Sequence, residues 1–267
     1  MDQEGPFVQE DWDPLLLWRF SMSAPGTQVY FTSRPGGSSR APYDSLNLGF
    51  HVGDDPGSVR ENRTLLCSTL GLDSLRVTSP RQRHTTEIAV PGIEGIGAGA
   101  TTEESFFDPC DGLMTMLQGV PLLLHFADCV PVVLTAETDG GPAVSVIHAG
   151  RQGLMDGIVS KAVSMLKDET GATRDSITAA IGPAIGPCCY EVDEETAAAF
   201  GERFSPDRVK GRFLDLRQAV VDELVAATLW RDNIFVLEIC TACDDHFFSY
   251  RRDGVTGRHG AIAWIEP

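Results

Sequence analysis

Apolar positions along this chain fall into two kinds of run. Residues 120–135 (VPLLLHFADCVPVVLT) and 143–157 (AVSVIHAGRQGLMDG) carry short unbroken stretches of Val, Leu and Ile bounded by Gly, Pro or polar residues. Runs of that length and composition read as buried strands rather than helices. Between them Glu137-Thr-Asp-Gly-Gly141 is rich in turn formers, so the strands are expected to fold back and bring Cys129 close to His148. Further strands are expected at 87–90, in the apolar part of 179–191, at 234–239 and at 261–265.

The second kind of run has helical spacing. Asp55 and Pro56 form a start signal and Gly71 a stop, which predicts a helix over 56–70. Leu154, Ile158, Val159, Ala162, Val163 and Leu166 make one apolar stripe and predict a helix within 153–170. Asp193 and Asp215 read as N-caps, the second with Gln218 three residues on, and the helix after Asp215 offers Leu216, Val220, Leu224 and Val225 to a core. Strands alternating with helices predict an α/β or mixed α+β fold. The first 25 residues, with Leu15, Leu16, Leu17, Trp18 and Phe20, read as an N-terminal extension that docks by an apolar strand.

A chain of 267 residues buries enough apolar surface to fold without a disulfide or a metal. Its formal charge of −17 argues against a nucleic-acid partner, because phosphate backbones reward Lys and Arg. No basic-flanked apolar leader and no run of eighteen apolar residues is present, so neither export nor membrane insertion is expected and the setting is read as cytoplasmic. Seven cysteines, an odd number, are then expected as reduced thiols, most of them buried and inert.

Residues 32–63 are dense in Gly, Ser and Pro. With Arg34, Gly36, Gly37, Ser38, Asn47, Gly49 and Gly53 this loop has the groups to wrap an anion or a sugar, although a solvated surface loop has the same composition. Arg63, in the middle of the predicted helix, reads as a surface group unless it forks onto a carboxylate or phosphate. The adjacent pair Cys188 and Cys189 reads as a buried turn, and Cys240-Thr-Ala-Cys243 lacks the second C-x-x-C that would complete a zinc ribbon.

His84, Cys129 and His148 are the candidate constellation, and the residues alone support three readings. Two imidazoles and a thiolate leave a fourth position open on a divalent metal, the pattern of catalytic zinc. Cys129 activated by either histidine would serve a thiol hydrolase or transferase. The same trio is also a copper donor set, but with six histidines in all the chain is too poor in imidazole for a cluster of several coppers.

The strings SRPGGSSRAPYDSLNLGFHVGDDPGSVRENR, RQRHTTE, FADCVPVVL, IHAG, IGPAIGPCCYEV and CTACDDHFFSYRRDGVTGR resemble the laccase-domain family, also named multicopper polyphenol oxidase and regarded as purine nucleoside phosphorylases. The resemblance runs from about Thr32 to Ile265. It implies one domain over 1–267, with mixed β-sheets flanked by helices in layers. It also implies a zinc held by His84, Cys129 and His148, and phosphorolysis of adenosine and inosine to free base and ribose 1-phosphate, with adenosine deamination as a second activity. In that scheme the partners are a purine nucleoside and inorganic phosphate. Asn47, Arg63, Arg151 and Arg251 fall in motifs expected near phosphate or ribose, and Cys129, Asp128, Arg251 and Glu87 are the candidates for chemistry. Copper-dependent polyphenol oxidation and a catalytically inactive zinc-stabilised module remain the alternatives. Where the family reads HAGWRG this chain reads His148-Ala-Gly-Arg-Gln-Gly153, so Arg151 and Gln152 stand in place of Trp and Arg.

Overall fold

A computed structural model describes residues 5–267. Strands β1 (Phe7–Trp12), β2 (Leu15–Phe20) and β3 (Thr27–Thr32) lead through a long loop to helix α1 (Pro56–Thr69). Then come β4 (Ile88–Ala89), β5 (Gly112–Thr115), β6 (Leu122–Phe126), β7 (Val130–Ala136) and β8 (Ala143–Ala149), followed by α2 (Arg151–Met155) and α3 (Ile158–Thr170). The remainder holds β9 (Ile177–Ile181), α4 (Glu194–Arg203), the short pair β10 (Val209–Lys210) and β11 (Phe213–Leu214), α5 (Leu216–Ala226), β12 (Ile234–Val236), α6 (Tyr250–Asp253) and β13 (His259–Ile265).

Two sheets stack face to face. One is antiparallel in the order β1-β2-β3-β13-β6, and the other is mixed in the order β12-β9-β7-β8-β5-β4, with parallel pairs only at its two edges. Between the sheets, Phe20, Val29, Phe31, Leu122, Leu124 and Phe126 meet Val133, Val144, Val146 and Ala180. On the outer face of the mixed sheet, Val132, Leu134 and Ile147 pack on Val159, Val163 and Leu166 of α3 and on Val220 and Leu224 of α5. Leu66 of α1, with Leu48 of the preceding loop, covers Leu15, Leu17 and Trp264 on the outer face of the first sheet. The fold is therefore mixed α+β, with helices outside two layers of sheet. Strands β7 and β8 are buried on both faces, which is why their sequences run apolar without alternation. Each of these side chains contributes about 1.5–3 kcal/mol by leaving water.

Three elements differ from the sequence reading. The stretch 120–135 is two strands in different sheets, since β6 pairs with β13 while β7 pairs with β8 and β9. Residues 127–129 form the corner between the sheets. The stripe in 153–170 is likewise split, because Gly157 at φ 86° ends α2 and starts α3. The expected strand at 234–239 stops at Val236. Of the N-terminal 25 residues the first four lie outside those described; the rest supply β1 and β2, with Leu15 and Leu17 fully buried. Among the described residues no helix is long and apolar enough to cross a membrane.

Candidate active site

The hairpin β7–β8 pairs Pro131 with His148 and Val130 with Ala149, so Cys129 lies across from the residues just past His148. His84 comes from the segment before β4 and has φ 58°, a left-handed conformation uncommon outside glycine. One ligand atom from each of His84, Cys129 and His148 lies within 4.8 Å of the others. A Cβ on Gly150 would sit 2.6 Å from His84 Nδ1 and 3.3 Å from Cys129 Sγ, so the missing side chain there is what makes room for the imidazole beside the sulfur.

Asp111, which sequence reasoning passed over, organises both histidines. Its Oδ1 lies 2.7 Å from His148 Nδ1, while its Oδ2 accepts from Thr85 N at 2.7 Å, Arg83 N at 3.0 Å and Thr85 Oγ1 at 3.0 Å. One oxygen thus fixes the His148 ring with its other nitrogen available, and the other clamps the backbone on either side of His84. Burial opposes the charge on Asp111, yet His148 and these amides hold its carboxyl down at about 2. Burial likewise opposes a thiolate at Cys129, but the charge and hydrogen bond of His148, with help from His84, pull the thiol down to about 6. The donor set fits a soft divalent ion: an ionised sulfur, two imidazoles, and a carboxylate behind one ring of the kind that orients metal-binding histidines. The only sequence signal for Asp111 was an acidic residue directly before an apolar strand.

Asp128, at the corner between the sheets, has φ 98°. Its carboxylate accepts from Thr241 Oγ1 and Ser249 Oγ at 2.7 Å each and from Arg251 N at 2.6 Å, and its carbonyl accepts from Ile185 N at 2.9 Å. These bonds hold the strained corner and tie Cys129 to the loops after β9 and β12.

A cavity of ≈ 510 Å³ opens over His84, Cys129 and His148. His51, Gln82, His125, Tyr190, Tyr250, Arg251 and Arg258 line it. Burial and then Arg258 and Arg63 push His51 down to about 4, and burial with Arg63 takes His125 well below its ordinary range. Arg63 Nη2 lies 2.8 Å from His125 Nε2, so the neutral ring carries its proton on Nδ1, a buried atom with no protein partner. In a chain of charge −17 this wall is locally cationic and suits an anion.

The other predicted residues are distributed around this cavity. Arg63 is 1% exposed, gives Nε to Leu48 O and Nη1 to Gly99 O and Ala100 O, and stacks 4.4 Å from the Phe50 ring centroid, behind the wall rather than on it. Asn47 is fully buried and accepts at Oδ1 from Arg258 N at 2.8 Å, so it reaches the cavity through Arg258. Arg34 pairs with Asp44, and the glycine-rich loop folds on itself. Arg151 opens α2 with its charge close enough to Tyr190 to favour the phenolate, whereas Gln152 bonds Asp156 one turn on. Glu87 is exposed beside Lys161. His51, His125, Tyr190, Tyr250 and Arg258 line the cavity without having been singled out, although all but His125 lie within the strings that carry the family resemblance.

A family model described as multi-copper polyphenol oxidoreductase laccase matches residues 28–266. Purine nucleoside phosphorylase YlmD of Geobacillus stearothermophilus is 37% identical over 243 residues, covering 87% of this chain and 88% of that one. Adenosine deaminase RL5, from an unknown prokaryotic organism, is 36% identical over 245 residues, 88% of this chain and 92% of its own. The crystal structure of YlmD from Geobacillus stearothermophilus superposes with a TM-score of 0.91 at 35% identity, over 99% of this chain and 100% of that one.

Proposed function

The chain belongs to the multi-copper polyphenol oxidoreductase laccase family, and on that premise we propose that it is a zinc-dependent purine nucleoside phosphorylase. The observation that carries this reading is the His84–Cys129–His148 cluster at the floor of a cavity whose wall holds Arg251 and Arg258 beside neutral histidines. Relatives named purine nucleoside phosphorylase, at 36–37% identity over most of the chain, support the choice of reaction.

His84, Cys129 and His148 would hold the zinc, which supplies Lewis acidity and positive charge at the cavity floor. Arg251 and Arg258 take inorganic phosphate by charge-assisted hydrogen bonds and set one of its oxygens against C1′ of the ribose. A C1′–O bond forms, the C1′–N9 bond breaks, and the bonding pair leaves with the purine, which takes up a proton at a ring nitrogen. His125, held neutral, lines the cavity and at Nε2 accepts from the Arg63 guanidinium behind it. Asp128, with three donors on its carboxylate, positions the Arg251 backbone instead of moving protons itself. Asn47 positions Arg258 in the same way.

The named activity of RL5 favours adenosine deamination as a second activity of the same site. Incubating purified protein with adenosine and inosine, with and without phosphate, separates the two. Phosphate-dependent release of adenine and hypoxanthine with ribose 1-phosphate is expected, together with ammonia from adenosine. Neither free base nor ammonia, from protein in which metal analysis finds one zinc on these ligands, would overturn the proposal.

A further inference from the structure

Away from the cavity floor, the turn after β9 and the turn after β12 bring Cys188, Cys189, Cys240 and Cys243 together, with all four sulfurs within 4.8 Å of one another. We propose that these four cysteines bind a second zinc ion as a closed tetrathiolate site that staples the two turns beneath one wall of the cavity.

The distances carry this assignment. Cys189 Sγ lies 3.3 Å from Cys243 Sγ, and Cys188 Sγ lies 3.5 Å from Cys240 Sγ and 3.6 Å from Cys243 Sγ. Four sulfurs at about 2.3 Å from a tetrahedral zinc stand roughly 3.8 Å apart, close to this arrangement. A disulfide needs about 2.05 Å, and all seven cysteines are free thiols. A redox pair would also leave two of the thiols without a role, whereas here Cys188 and Cys243 each approach two other sulfurs.

The backbone is shaped for the same purpose. Cys240 to Cys243 forms a tight turn in which Cys243 N and Asp244 N both donate to Cys240 O, at 3.1 and 3.0 Å. Across from it Gly186 N donates to Cys240 Sγ at 3.2 Å, the kind of amide contact that favours a thiolate. A Cβ on Gly186 would lie 3.2 Å from Cys188 Sγ and 3.3 Å from Cys240 Cβ, so a glycine lets the turns approach. Adjacent cysteines in an extended strand would point apart. The turn at 187–189 curls both toward the second loop, and so supplies what a second C-x-x-C would otherwise provide.

Four thiolates around one Zn²⁺ leave a charge of −2, and two guanidinium groups flank the cluster. Arg217, largely buried, donates to Leu237 O and Ile239 O directly before Cys240, and Arg251 donates to Cys189 O and Glu191 O. With four protein ligands no position remains for water or substrate, so the site is structural. Its consequence for the cavity is mechanical: the stapled turns also carry Tyr190, Arg251, and the Thr241 hydroxyl and Ile185 amide that hold Asp128.

Metal counting on anaerobically purified, zinc-supplemented protein tests this. Two zinc ions per chain are expected in the wild type and one in His84→Ala/Cys129→Ala, with X-ray absorption of that variant giving four sulfur neighbours. This arm leaves the four cysteines untouched, so it stands even if Cys188→Ser/Cys243→Ser fails to fold. If the serine variant folds, it should keep one zinc, bound with one sulfur and two nitrogens. A single zinc in the wild type that disappears in His84→Ala/Cys129→Ala overturns the proposal, as does a disulfide among the four cysteines in unreduced peptides.

Discussion

Because one oxygen of Asp111 takes His148 and the other takes the backbone around His84, Asp111→Asn puts an amide donor at one of those places. Losing an outer-shell carboxylate of this kind typically weakens metal binding 10–100-fold. Asp111→Asn is therefore expected to lose zinc to a chelator at roughly 10–100-fold lower concentration than the wild type, read by metal analysis after dialysis. Gly150→Ala should be more severe at the site and mild for the fold, since its Cβ would meet His84 Nδ1 at 2.6 Å where only the ring can give way. The expected outcome is loss of the first zinc with a nearly unchanged circular dichroism spectrum. Arg151 places its charge near Tyr190 on the cavity wall, so Arg151→Ala is expected to raise KM for the nucleoside up to about 5-fold, the ~1 kcal/mol of one part-exposed charge interaction, with a smaller effect on kcat. A fall in kcat alone would show that Arg151 does not hold the substrate wall. Of these residues His84, Cys129, His148 and Arg151 were singled out from the sequence, whereas Asp111, Gly150 and Tyr190 were not. Asp111 is 27 residues from His84 and further from His148 in sequence order, and reaches them through the pairing of β5 with β4 and with β8.

Capped helices were the most readable elements. Asp55 and Asp193 accept the backbone N–H groups of Ser58 and Thr196, as their sequences predicted, and Asp215 does so for Gln218. Asp215→Ala should cost about 1 kcal/mol in urea unfolding, the usual value of such a cap. Gly157 was less readable, because the apolar stripe runs across it and conceals the break between α2 and α3. Its φ of 86° makes Gly157→Ala costly by about 1 kcal/mol through the backbone, since its nearest Cβ neighbour, Glu223 Oε1, would stand at an ordinary 3.5 Å. The break has a use: it lets the short α2 begin at Arg151, with its N-cap Gly150 beside His84 and Cys129, while α3 lies flat on the mixed sheet.

At the scale of the whole molecule, stacking two sheets buries His259 at the start of β13, between the rings of Phe126 and Phe247, with neither ring nitrogen partnered. Burial, and then the nearby Arg258, pushes its pKa down from 6.5 to about 3. Between those values the unfolded chain binds a proton that the native state refuses, so stability falls as pH drops from 6.5 toward 3. The slope approaches about 1.4 kcal/mol per pH unit for one proton. His259→Phe should flatten the fall of the melting temperature between pH 6.5 and 4.5; an unchanged slope would assign the acid sensitivity to other groups. What the sequence alone determined was local. Periodicity set the strands and helices, caps set several helix starts, and the motifs around His84, Cys129 and His148 marked a cluster that the fold brings together. The tertiary structure decided which distant segments meet. It divided one apolar run between two sheets at Asp128, put Asp111 behind both histidines, turned Arg63 from the cavity into the core, and closed Cys188–Cys189 on Cys240–Cys243. Each of those contacts is a condition on the packed chain that leaves no trace in the spacing of the residues it joins.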